Sequence, residues 1–133
     1  YRELVLPYHK RLCDRFASDG LKTFLHSDGN IAPLIPLCIE AGFAGLHPLE
    51  AKAGLDVRAL KAEYGTQLVW VGNIDVRKLS GTRQEIEEEV AKIQVAKEGG
   101  GYIYHSDHSV PNSVSLESYR YAIELVHRYG AYP

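Results

Sequence analysis

The sequence predicts an α/β fold in which four parallel strands alternate with helices. Short apolar runs of strand length occur at about 22–25, 43–46, 67–71 and 102–104. Each is followed at once by a polar cluster: His26-Ser27-Asp28-Gly29-Asn30, His47-Pro48-Leu49-Glu50, Gly72-Asn73-Ile74-Asp75 and His105-Ser106-Asp107-His108. Stretches of helical periodicity separate the runs, and such an alternation packs as a parallel sheet with right-handed crossovers. All the clusters then leave the sheet on one rim, where α/β folds place their chemistry.

A first helix is expected from about Pro7 to Ser18, where Tyr8, Leu12 and Phe16 recur at helical spacing before the Asp19-Gly20 stop. After the run at 22–25, Asn30 can cap the next helix, which carries Leu34, Leu37, Cys38 and Ala41 and ends at Gly42. Pro36 implies that this helix begins late. Asp56 is a cap for a helix carrying Val57, Leu60 and Tyr64 before Gly65. The run Gln67-Leu68-Val69-Trp70-Val71 is nearly all apolar and suits a strand covered on both faces. Thr82-Arg83-Gln84-Glu85 has capping-box spacing, with Ile86, Val90 and Ile93 as the buried stripe of one long helix ending at Gly99-Gly100-Gly101. The last helix, about Ser115 to Tyr129, offers Leu116, Tyr119, Ile123 and Val126 as its inner face. His9 and His127 fall on helices and are expected at the surface.

The chain has 133 residues, 45% hydrophobic and 24% charged, which fits one globular domain over 1–133 with no internal linker. A net charge of −2 with interspersed signs gives no basic stripe for nucleic acid. No apolar stretch has membrane-spanning length and no leader pattern opens the chain, so a soluble cytoplasmic protein acting on a small molecule is expected. Cys13 and Cys38 lack Cys-x-x-Cys spacing and read as buried reduced thiols. Two architectures suit the element order: a small doubly wound sheet, or half of a (β/α) barrel, since a whole barrel takes about 250 residues. A half-barrel has two open sheet edges that need a missing N-terminal half or a second copy, giving a homodimer. Opening on a helix, with no Met in the sequence, favours a fragment.

The clusters supply the candidate ligands. His26 and Asp28 lie two apart and share a side at an extended strand end, a pairing that serves metal binding or proton transfer, although Asp-Gly-Asn also reads as turn and cap chemistry. His105 and Asp107 alternate away from His108, so the three need not act together. Glu50, beside His47 and Pro48, could be a base, a substrate anchor or an ion-pair partner. Asn73 and Asp75 again lie two apart, and Asp75 could equally cap a short turn. The triple glycine precedes a strand instead of opening a helix and is no phosphate fingerprint.

In order, His-Ser-Asp-Gly-Asn, Ala-Gly-Phe-Ala-Gly-Leu-His-Pro-Leu-Glu, Tyr-Gly-Thr-Gln-Leu-Val-Trp-Val-Gly-Asn-Ile-Asp and Gly-Gly-Gly-Tyr-Ile-Tyr-His-Ser-Asp-His-Ser-Val-Pro resemble the C-terminal half of the uroporphyrinogen decarboxylase superfamily. The resemblance spans nearly the whole chain and implies the C-terminal half of a TIM-like (β/α)8 barrel. It also implies one of two activities: cofactor-free decarboxylation of porphyrinogen acetates, or zinc-dependent methyl transfer involving corrinoid proteins and thiols. In the second branch a His-x-Cys follows the first of these strands and another Cys the last. Here His26 matches the His, Asp28 stands at the first Cys and His108 roughly at the second, a set suited to a divalent metal such as zinc but not to thiolate chemistry. In the first branch His108 resembles a His of the last loop, while the principal substrate-binding Arg and Asp belong to the N-terminal half. The resulting expectation places His26, Asp28 and His108 as catalytic residues and Asn30, His47, Glu50, Asn73, Asp75, His105 and Asp107 as substrate contacts. A metal held by His26, Asp28 and His108 is the alternative, and a non-catalytic half-barrel dimer is a third reading.

Overall fold

The structure, a computed structural model, describes residues 1–132. Helix α1 (Leu6–Ser18) leads into strand β1 (Phe24–His26), then α2 (Ile35–Ala41), β2 (Gly45–His47), α3 (Val57–Tyr64) and β3 (Val69–Val71). Helices α4 (Arg83–Val90) and α5 (Lys92–Ala96), strand β4 (Tyr102–Ile103) and helix α6 (Leu116–Tyr129) complete the chain. Single 3-10 turns at Ala32–Leu34, Ala51–Ala53 and Lys78–Ser80 follow the first three strands. All strand pairs are parallel, in the order β1-β2-β3-β4. This in-sequence order is that of a barrel opened out, not of a doubly wound sheet, whose order reverses at a switch point.

Local chemistry accounts for the boundaries. Asp56 accepts from the Arg58 N–H, Ser115 from the Ser118 N–H, and Thr82 with Glu85 closes a full capping box. Asn30 caps the 3-10 turn through the Ala32 N–H, and α2 starts late with Pro36 in its first turn. The expected long fourth helix divides at Ala91, whose ψ of −19° is shallow for an α-helix. The strands are shorter than expected and lie one or two residues later in the first two cases, so His26 and His47 end strands instead of beginning loops.

One core runs beneath the rim, with Trp70, Ile35, Leu46, Leu49 and Ile74 fully buried. The stripe Ile86, Val90 and Ile93 is buried as expected. The face expected for α6 is rotated: Leu116 and Tyr119 are exposed, and Ala122 and Leu125 face the core. On α1, Tyr8, Leu12 and Phe16 mark the helix but stay exposed, while Leu6 and Cys13 are buried. His9 is half-buried, correcting the surface placement: it bonds the Tyr1 hydroxyl at 2.7 Å and packs edge-on against Phe43. Cys13 and Cys38 are free and buried.

Apart from Val95, the exposed large apolar side chains belong to the first 24 residues or to those from Ile103 onward. These segments carry the two outer strands, where Phe24 is 43% and Ile103 is 50% exposed. The sheet therefore has apolar flanks at both open edges, as half of a barrel requires. No helix among the described residues is long and apolar enough to cross a membrane.

The rim is also shaped by Gly72, which has a φ of +108° and would bring an added Cβ to 1.8 Å from the Pro48 carbonyl oxygen. Gly29, at φ +80°, has nothing within 4 Å of such a Cβ. Gly29→Ala therefore costs only backbone strain, about 1 kcal/mol. Gly72→Ala adds the clash and costs about 3 kcal/mol or more. Urea unfolding of the two variants measures the difference, and equal losses would refute the close approach.

Candidate functional site

The rim divides the predicted residues into two clusters. The first is a line of imidazoles. The β1–β2 register sets His26 beside His47, with their Nδ1 atoms 2.8 Å apart. His105 reaches His47 across the end of β3, with 3.4 Å between His105 Nδ1 and His47 Nε2. Gly72 there carries no side chain and the Asn73 side chain is buried. Ring centroids are 4.9 and 4.7 Å apart along the line. Burial, followed by the charges of His105 and His26, holds the His47 imidazole below its ordinary pKa.

The second cluster centres on Glu50, which is 4% exposed. Its Oε2 accepts from the Gly29 N–H. Its Oε1 faces His108 Nε2 at 2.8 Å and Lys52 Nζ at 2.9 Å. Hydrogen bonds from Lys52, then His108, then the Gly29 amide hold the Glu50 carboxyl down at about 2. Glu50 thus ties together the loops after β1, β2 and β4. Asp28 is exposed nearby, its Oδ1 3.9 Å from His26 Nε2.

Asp28, Glu50 and His108 each bring one ligand atom within 4.8 Å of the others. Glu50 occupies the place in this set that the sequence reading gave to His26, which pairs with His47 instead. The donor chemistry does not favour a divalent ion as the set stands: both Glu50 oxygens already accept N–H groups, and the Lys52 ammonium supplies the cation.

Two expected substrate contacts are engaged by the fold itself. Asn73 is fully buried; its Oδ1 accepts from the Val57 N–H and its Nδ2 donates to the Leu49 and Leu55 carbonyls. Asp107, 1% exposed, accepts from the Ala51 and Val76 N–H groups. Asn73 has no face left for a ligand, whereas Asp107 also borders a cavity at the rim. Asn30 is exposed but serves its turn, and His105 stands in the imidazole line. Asp75 accepts from the Arg77 N–H and holds the Arg77 guanidinium at 2.6 Å, and that guanidinium keeps its carboxyl below the usual range.

Lys52 and Arg77 were missed by sequence reasoning. With Asp75, Val76, Asp107 and His108 they line a rim cavity of about 300 Å³. Their signal was an acid followed two residues later by a base, which recurs as Glu50-Ala51-Lys52, Asp56-Val57-Arg58 and Asp75-Val76-Arg77. Beneath them Glu89, also unforeseen, is 7% exposed; it accepts from the Asp75 N–H and pairs with Lys92 at 2.6 Å.

Parallel strands in sequential order, with ionisable side chains gathered beyond their C-terminal ends, define half of a (β/α) barrel with a charged rim. The family model described as uroporphyrinogen decarboxylase (URO-D) matches residues 1–129, and the chain belongs to that family. Among curated proteins, the uroporphyrinogen decarboxylase of Pseudoalteromonas atlantica is 24% identical over 139 residues. The match covers 98% of this chain and 37% of that relative, so the chain spans well under half of the relative's length.

A carboxyl held at about 2 against an ordinary 4.5 stabilises the fold fully above 4.5, and that contribution is lost as pH falls through 2. Glu50→Gln is therefore expected to lower stability at neutral pH, with the gap from the unaltered chain closing between these values. Unfolding curves collected across that range check it, and a gap independent of pH would count against the ion-pair hub.

Proposed function

We propose that the chain supplies the C-terminal half of a cytoplasmic barrel enzyme that decarboxylates a porphyrinogen or a related polycarboxylate without a cofactor. The observation that carries this reading is the convergence of Lys52, Arg77 and His108 on one rim cavity beside the buried Glu50 carboxylate. Family membership and the similarity to a uroporphyrinogen decarboxylase support it.

In this reading Lys52 and Arg77 take carboxylates of the substrate, a use to which a guanidinium fork and an ammonium are suited. The C–CO2 bond breaks, CO2 leaves, and the electron pair stays on carbon, spread into the adjoining ring. A proton from an imidazolium then forms the new C–H bond. In this reading His108 makes that transfer, with its ring held at Nε2 by Glu50, and His26, with Asp28 beside it, stands at the same rim. The cation next to Glu50 is the protein's own ammonium, which supports the cofactor-free route over the zinc alternative.

In a protein carrying both barrel halves, Lys52→Ala combined with Arg77→Ala is expected to raise KM for a polycarboxylate tenfold or more, about 1.4 kcal/mol. His108→Ala is expected to lower kcat by about 100-fold or more. Steady-state CO2 release separates the two effects. Unchanged turnover in both variants, or stoichiometric zinc on elemental analysis, would overturn the reading.

The partner of the apolar flanks is, on the same reading, the complementary half-barrel: an upstream segment of the same polypeptide or a second copy of this one. Sedimentation of the 133-residue chain is expected to show self-association, reduced by Phe24→Lys with Ile103→Lys. A monomer of unchanged mass in both forms would argue against closure by a second copy.

A further inference from the structure

The contacts of the imidazole line determine where its protons sit. His105 Nδ1 lies 2.5 Å from the Ser106 carbonyl oxygen. A carbonyl only accepts, so that nitrogen carries a hydrogen. His47 Nε2, 3.4 Å from the same nitrogen, faces an N–H and is therefore the bare nitrogen of its ring. A neutral imidazole with Nε2 bare holds its hydrogen on Nδ1. The His47 Nδ1–H then points at His26 Nδ1, 2.8 Å away, which must accept. His26 is left with its hydrogen on Nε2, the atom that faces the Asp28 carboxylate at 3.9 Å. The lowered pKa of His47, caused by burial and then by its two imidazole neighbours, is in keeping with a neutral central ring.

We propose that His105 and His47 are positioning residues that, starting from the Ser106 carbonyl, fix His26 as the Nε2–H tautomer, so that it meets a carboxylate oxygen of the ligand as a hydrogen-bond donor. The inference rests on the polycarboxylate reading of the rim and adds to it a donor outside the Lys52–Arg77–His108 cavity. A donor fixed in this way accepts an ionised carboxylate and rejects an ammonium or amide N–H at the same place. It also needs His47 and His105 in the Nδ1–H form, which free histidine populates less than Nε2–H.

Long-range nitrogen–proton spectra of the ¹⁵N-histidine-labelled chain read each tautomer directly. They are recorded about 2 pH units above the ordinary imidazole value near 6.5. The expected result is Nδ1–H for His47 and His105 and Nε2–H for His26. In His105→Phe, His47 is released into a mixture of tautomers. In His26→Phe, His47 keeps its Nδ1–H, because His105 still donates to its Nε2. A His47 found as Nε2–H in the unaltered chain, or one unmoved by His105→Phe, overturns the proposal. Circular dichroism reports whether the variants fold, and if one does not, the tautomers of the unaltered chain decide alone. None of these readouts involves turnover, so a failure here leaves the decarboxylase reading standing, and a failure of that reading leaves the tautomers as measured.

Discussion

The in-register parallel pairing of the strands is the constraint on which the rim depends. Parallel partners point their side chains to the same side of a sheet, so Phe24↔Gly45, Leu25↔Leu46 and His26↔His47 fix which residues can meet above it. A slip of one residue would turn His47 to the other face and bring Leu46 beside His26. The same pairing continues through Trp70↔Tyr102 and Val71↔Ile103 and aims the segment after β4 back across β3 toward β2. The isolated bridge Ile74↔Ser106 carries that alignment past the strand ends. His105 and His108 then fall on two different partners, His47 and Glu50.

Above the sheet the loops are held by carboxylates acting as acceptors for backbone N–H groups: Glu50 for Gly29, Asp107 for Ala51 and Val76, and Glu89 for Asp75. Each link joins loops or elements distant in sequence. Loops carrying functional groups are ordinarily the most mobile parts of a fold. Here buried ionic hydrogen bonds restrain them, and no buried side-chain polar atom among the described residues lacks a partner. Such a rim has its geometry set before anything binds there.

The element order, the parallel sheet and the caps at Asp56 and Thr82 were legible because each rests on local chemistry: periodicity, a capping oxygen, a glycine stop. The rotated face of α6 was not, since Leu116 and Tyr119 have the composition of core residues and only the open edge leaves them exposed. At the site, His105 and His108 part as alternation led one to expect, but they do so in the loop beyond β4, where Asp107 and His108 line one cavity together. The roles of Asn73 and Asp107 were not legible, because a polar residue after a strand reads the same whether it faces a ligand or secures a loop, and only burial tells them apart. Lys52 and Arg77 went unnoticed because a base two residues after an acid reads as an ordinary surface pair.

The pairs Glu50–Lys52 and Asp75–Arg77 make the rim a set of closed zwitterions in place of a bare positive patch. A ligand with one carboxylate gains little, since it exchanges one carboxylate partner for another at each cation. A ligand with several spaced carboxylates opens several clasps in a single binding event, and each clasp after the first is opened by a group already held at high effective concentration. On the polycarboxylate reading proposed above, the rim therefore counts charges: it discriminates by the number and spacing of acidic groups more than by attraction to negative charge as such.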